Sequence, residues 1–332
     1  AIAPSLESLG PLRVSAANPR YFIDRNGREV LLVGSHTWPT LSDAGVGNPP
    51  PAFDYDRYLD FLQRNGHNFF RLWVWEQARW SLSSDADDLR IAPLPFLRSG
   101  PGNALDGLPK FDLTRFDPTY FERLRSRVEA ASRRGIYVSV MLFNGWSVAK
   151  SKGDFARSNP WRGHPFHRSN NVNGIDGDPN GDESGLEVHT LASPEVTAIQ
   201  DRYVRHVIDT VNGFDNVLYE ISNESDQSSL DWQAHVVRLI KEYEAGKPKR
   251  HPVGMTAMWP GGRNDDLRAS AADWISPNGD VTSRPPNDGR KVVLVDTDHL
   301  CAVFDHAAIA QQTILENRAA LPRMGGRSSD RV

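Results

Sequence analysis

Short runs of β-branched, aromatic and aliphatic residues recur along this chain, spaced so that a helix or a long connection fits between them. Val30-Leu-Leu-Val-Gly34, Asn68-Phe-Phe-Arg-Leu-Trp-Val-Trp75, Ile136-Tyr-Val-Ser-Val-Met-Leu-Phe143 and Val217-Leu-Tyr-Glu-Ile221 each read as a buried strand. Pro252–Met258, a short Trp274–Ser276 and Lys291–Asp296 extend the series to seven. Amphipathic stretches lie between several of them. Asp54 precedes a face made by Tyr55, Tyr58, Leu59 and Leu62 that stops at Asn65-Gly66. Tyr120, Leu124, Val128 and Ala131 mark a helix stopped at Gly135. Tyr203–Val211 and Trp232–Tyr243 carry two more. Strands alternating with helices at this spacing build parallel βα units. Without a Gly-rich phosphate fingerprint, a nucleotide-binding sheet is disfavoured.

The expected fold is therefore α/β, a (β/α)8 barrel of the TIM type. Asp24-Arg-Asn-Gly27 is a strong turn signal and makes residues 1–28 an N-terminal β-hairpin plug. Residues 29–305 form the barrel. Between strands two and three, a loop containing Pro and Gly runs to about Pro118. From about 145 to 193 no helix or strand is legible, a span far beyond the usual connection of about 4–6 residues. Trp161, His164, Phe166, His167, Asn170 and Asn171 within it favour an ordered lid over the barrel mouth. The eighth unit reads as missing or degraded: 306–332 is helical in pattern over Ala307–Leu321 and then polar, with two adjacent glycines. An open seam beside strands one and seven is the expected consequence.

Composition narrows the function. The 332 residues carry a net charge of −4 with no basic cluster, which argues against nucleic acid as a partner. No apolar run is long enough to span a membrane. Cys301 is the sole cysteine, which rules out an internal disulfide and any cysteine-based zinc site. Ala1 begins without an initiator Met or a signal-like segment, so the chain reads as a processed or partial product. The expected compartment is extracellular or periplasmic, and the expected state is a monomer unless an open barrel edge pairs. Nine Trp and eight Tyr, several at strand ends, supply flat faces suited to a sugar or to core packing.

The chemistry concentrates at strand ends, where barrel enzymes hold their active sites. Strand four closes on Asn223 and Glu224. Strand seven offers Asp296 and Asp298 in Val295-Asp-Thr-Asp-His299, of equal parity, so one of them sits at the tip. Asp298 lies further toward the mouth, and Asp296 fits an inner hydrogen-bonding partner. Cleaving a glycosidic bond needs two carboxyl groups facing each other across a cleft, and strands four and seven can provide them. Glu220 lies deeper on strand four and would need a cation, for which Arg71 on strand two is suited. That pair is either structural or in contact with substrate. His36, Trp38, Trp75, Glu76, Asn144, Trp146, Trp259 and His299 complete a polar mouth with aromatic walls.

Gly66-His-Asn-Phe-Phe-Arg71, Ser222-Asn-Glu224 and a carboxylate closing strand seven resemble the clan A glycoside hydrolases, especially the family 5 cellulase-like barrels, over roughly residues 20 to 300. The resemblance implies a polysaccharide- or oligosaccharide-cleaving enzyme with Glu224 as acid/base, Asn223 on a sugar 2-hydroxyl and Arg71 supporting the nucleophile. The clan's strand-seven nucleophile is Glu; this chain has Asp there, which leaves retention and inversion both open.

No cofactor is required by this reading. Asp176-Gly-Asp178-Pro-Asn180-Gly181 with Glu187 matches the ligand spacing of a structural calcium loop. Pro179 inside the loop, Glu183 at a normally apolar place and the lack of flanking helices favour a solvated acidic turn instead. Two other functions compete. One is a metal-dependent hydrolase using His36, Asp296, Asp298 and His299, separable by chelator sensitivity. The other is a carbohydrate-binding barrel without turnover.

Overall fold

The computed structural model describes residues 10–80, 89–148, 159–279 and 289–296. Near the N-terminus, Asp24 Oδ1 accepts the backbone N–H groups of Asn26 and Arg28, at 2.8 and 2.9 Å, and Gly27 takes the left-handed conformation at φ 75°. That turn joins β2 (Phe22–Ile23) to β3 (Glu29–Val30), and β1 (Arg13–Val14) pairs on the other side of β2. The predicted hairpin is thus a three-stranded antiparallel sheet. It also claims Val30, which the sequence reading gave to the first barrel strand. The first barrel position is held instead by Gly34, bridged in parallel to Phe69. A Cβ there would lie 1.6 Å from the Phe69 carbonyl oxygen, so no other residue allows this approach. Asn68 braces the segment, accepting from Val33 N and donating to Leu31 O.

After β4 (Asp43–Val46), Asp54 caps α1 (Tyr55–Arg64) through Arg57 N at 3.0 Å, and the chain enters β5 (Phe69–Leu72). The stretch to Pro118, read from sequence as a loop, contains β6 (Arg79–Trp80), β7 (Leu89–Ala92), β8 (Phe96–Asn103) and β9 (Pro109–Phe116). β4, β7 and β6 form one antiparallel sheet; β8 and β9 form a ribbon with register shifts. Its glycines and prolines disguise it: Gly100 and Gly102 stand at positive φ inside β8. α2 (Pro118–Arg133), capped by Asp117, then leads to β10 (Tyr137–Asn144).

Residues 159–193 hold three short 3-10 turns, at Pro160–Gly163, Arg168–Asn170 and Leu186–His189. They enclose Trp161, 1% exposed. Gly185 approaches so closely that a Cβ would sit 2.3 Å from its indole ring. α3 (Pro194–Val211) follows, then β11 (Val217–Asn223), α4 (Leu230–Ala245), β12 (Val253–Thr256), α5 (Asn264–Ala269), β13 (Trp274–Ser276) and β14 (Val292–Val293).

The barrel sheet runs β14-β13-β12-β11-β10-β5, every pair parallel, and the Gly34 bridge extends it beyond β5. These are the seven predicted strands in sequence order. Val217, Tyr219 and Ile221 pack outward in the main core, whereas Leu218 points into the barrel with Tyr137, Trp274 and Val292, where Leu12 and Phe22 of the N-terminal segment close the bottom. Gly254 makes room for Trp274, whose ring would lie 1.9 Å from a Cβ there. Among the described residues no helix is long and apolar enough to cross a membrane. The calls on Asp298, His299, the eighth strand and the 306–332 tail lie outside the described residues.

Candidate functional site

Arg71 rises from β5 into the barrel interior, 6% exposed. Its Nε donates to Glu220 Oε2 at 2.9 Å and its Nη2 to Asn223 Oδ1 at 2.8 Å. It also forms ion pairs with Glu220 Oε1 and with Asp296 Oδ2. Ser139 Oγ adds a bond to Glu220 Oε2 at 3.3 Å, and the guanidinium lies 4.9 Å from the Trp73 ring centre. Burial works against the charge on Arg71, but Glu220 and Asp296 outweigh it and raise the guanidinium pKa. One forked cation thus ties strands two, four and seven together at the mouth, a geometry Lys could not reproduce.

Glu224 follows directly on β11, in the left-handed conformation at φ 47°. For a non-glycine residue this conformation costs energy that the surroundings must supply. Trp146 Nε1 donates to Glu224 Oε2 at 2.6 Å, and the Trp146 and Trp259 rings stack at 5.9 Å and 17°. Trp259 N in turn donates to Ser225 O at 3.0 Å. Gly145 lies against the turn, since a Cβ would fall 2.3 Å from Glu224 O.

Glu76, just beyond β5, is buried and accepts from Asn144 N at 2.8 Å, while His189 Nε2 and His164 Nε2 lie 3.0 and 3.3 Å away. Burial alone would raise its pKa; attraction to His189 and the two imidazole bonds bring it down to about 2. Burial also lowers the pKa of His164, against the pull of Glu76. His189 escaped the sequence reading. It sits in an irregular segment, and the Glu76 it meets is 113 residues away, with no local pattern to announce the pair.

The other predicted mouth residues divide. His36 stacks on Trp73 at 4.9 Å and 15°. Trp38 is 43% exposed and sets an edge against Trp75, whereas Trp75 itself is buried between Trp73 and Trp80 and offers no face to a ligand. Asn144 is a correction: fully buried, it accepts from Trp146 N and donates to Val74 O, so it shapes the mouth from beneath. The acidic loop folds back on itself. Asp176 accepts from Asp178 N, Asp178 from Glu183 N, and the Asn180 amide bonds Glu187, so the four residues close turns on one another. Among the described residues no three His, Cys, Asp or Glu side chains gather as metal ligands. In the proposed metal-hydrolase set, Asp296 lies on Arg71 and His36 on Trp73.

A family model covers residues 91–259, just over half of the 332-residue chain, with the description "Domain of unknown function". The chain belongs to that family, DUF6298. No curated protein matches it. Solved structures do. A proposed glycoside hydrolase from Bacteroides vulgatus aligns at TM-score 0.54 and 20% identity, covering 87% of this chain and 48% of that one. An endogalactoceramidase aligns at 0.52 and 18%, covering 92% and 66%. A glycoside hydrolase family 5 mannosidase from Rhizomucor miehei aligns at 0.50 and 14%, covering 94% and 72%. The DUF6298 chain therefore shares the barrel fold of these glycoside hydrolases, the fold expected from its motifs. It spans about half the length of the first of these structures.

Proposed function

We propose that this chain is a glycoside hydrolase cleaving O-glycosidic bonds of an oligosaccharide or polysaccharide. The observation that carries the reading is the Arg71 cluster: one guanidinium holds Asp296 and Asn223 at the strand ends, next to the turn that presents Glu224. Two carboxyl groups from strands four and seven then serve one cleft, which is the requirement of glycosidic cleavage. Glu224 protonates the leaving oxygen. Asp296, oriented by Arg71, acts from the other side as nucleophile or base. Asn223 offers its amide to a sugar hydroxyl, and the stacked Trp146 and Trp259 wall the cleft beside the acid. The likeness of fold to glycoside hydrolases supports the class of reaction. Sugar and linkage are left to experiment.

The test is a screen of purified protein against aryl glycosides and polysaccharides, followed by Glu224→Gln. The variant should lose about 10²–10⁴-fold on substrates with poor leaving groups and much less on activated aryl glycosides, because those need no proton. Equal losses on both would remove the acid role. Asp296→Asn should abolish turnover; if it does not and Asp298→Asn does, the second carboxyl is Asp298.

A further inference from the structure

Glu76 takes no part in the chemistry above, yet two separate chains of bonds run from it to Glu224. The first passes through Asn144. Glu76 accepts Asn144 N at 2.8 Å, Asn144 Oδ1 accepts Trp146 N at 3.1 Å, and Trp146 Nε1 reaches Glu224 Oε2 at 2.6 Å. The second passes through the lid. His189 Nε2 meets Glu76 Oε1 at 3.0 Å, and His189 Nδ1 lies 3.1 Å from Ser225 Oγ, which is 2.6 Å from Ser222 Oγ. A carboxylate can only accept, so His189 presents its Nε2–H to Glu76, while its Nδ1 and the Ser225 hydroxyl share the bond on the other side of the ring. Ser225 is the residue after Glu224, so this bond pins the far side of the left-handed turn. His164 works on the same carboxylate: its Nδ1 accepts Phe166 N at 3.1 Å, which leaves its Nε2–H for Glu76. Both histidines belong to the lid; Glu76 and Asn144 belong to the barrel.

We propose that Glu76 and His189 are positioning residues that aim Glu224 from its carboxylate side and its backbone side, so that docking of the lid completes the acid site. The inference rests on the glycosidase reading for its catalytic consequence, and on geometry alone for the aim of Glu224. Gln at position 76 sets an amide N–H against an imidazole N–H, or forces a tautomer change that gives up the Phe166 bond. Phe at position 189 keeps a ring stacked on Trp232, now at 4.6 Å and 16°, while removing both hydrogen bonds.

The experiment compares wild type, Glu76→Gln and His189→Phe by two readouts. In ¹H–¹⁵N spectra the chain's nine Trp give indole signals, and Trp146→Phe identifies the one hydrogen-bonded to Glu224. That resonance should move upfield in both variants while indoles remote from the site, such as Trp274, stay in place. In kinetics, kcat on poor leaving groups should fall at least about tenfold more than kcat on activated aryl glycosides, with KM little changed, since a misaimed acid harms the step that needs a proton. His189→Phe stands alone as the test if Glu76→Gln does not fold. An unmoved Trp146 indole, or equal loss on both substrate types in folded variants, overturns the proposal. A wild type that hydrolyses nothing overturns the glycosidase reading instead, and the indole shift still decides whether Glu76 and His189 aim Glu224.

Discussion

Arg71 carries two carboxylates and an amide with almost no solvent to help, so its removal is more than the loss of a contact. Arg71→Met should leave Glu220, fully buried, without a cation and cost about 3–5 kcal/mol in urea unfolding; Arg71→Met with Glu220→Leu should recover part of that. Glu76 makes a pH prediction. Its pKa is depressed from 4.5 to about 2, so its contribution is present above pH 4.5 and is lost as pH falls toward 2. Wild type should therefore lose on the order of 3 kcal/mol more stability than Glu76→Gln between pH 5 and pH 2, measured by urea titration at each pH. Burial of His164 acts in the same direction, because acid must protonate an imidazole that resists it. Arg71, Asn223 and Glu224 were legible from sequence because each ends or interrupts an apolar strand where parity and depth say which way it faces. His189 was not, since its meaning comes from Glu76 and Ser225, neither of which is near it in the chain.

The elements with regular periodicity were read closely, and those held by irregular contacts were not. Asp54 and Asp117 cap their helices because a short carboxylate preceding a helical face satisfies free N–H groups locally, which needs no tertiary partner. The β8–β9 ribbon was invisible because glycines and prolines disguise its strands and its register shifts break the alternation that marks a strand. In residues 159–193, expected from sequence to form an ordered lid, Trp161 is buried at the centre. Trp161→Ala should cost about 3–5 kcal/mol locally and open 159–193 to trypsin at Arg162 and Arg168, while the barrel's own melting transition moves far less. Gly185→Ala should act alike, since its φ of 64° and the Trp161 ring 2.3 Å from a Cβ leave a side chain no place. Limited proteolysis with mass spectrometry reads both.

Over the whole molecule, the barrel is a stack of layers: Leu12 and Phe22 below, then Leu218 and Trp274, then the Arg71–Glu220 pair, then the mouth. Phe22→Ala opens the bottom layer, 1% exposed, and should cost about 3–5 kcal/mol in equilibrium unfolding without changing the Trp146 indole signal, because the site is separated from it by the ion-pair layer. If the indole moved with Phe22, the layers would not be independent. The order of seven strands, their parallel sense, the caps and the placement of Arg71 within strand two and of Asn223 and Glu224 at the end of strand four were determined by the sequence itself, since hydrophobic period and helix stops act over a few neighbouring residues. Four things were decided by tertiary structure: Val30 joining the N-terminal sheet, Gly34 pressing on Phe69, Asp296 turning to Arg71, and His164 and His189 meeting Glu76. The first is a local strand pairing across the Asp24–Gly27 turn; the other three depend on which distant group can neutralise a buried charge or fill a gap, and such pairings exist only once the chain has closed.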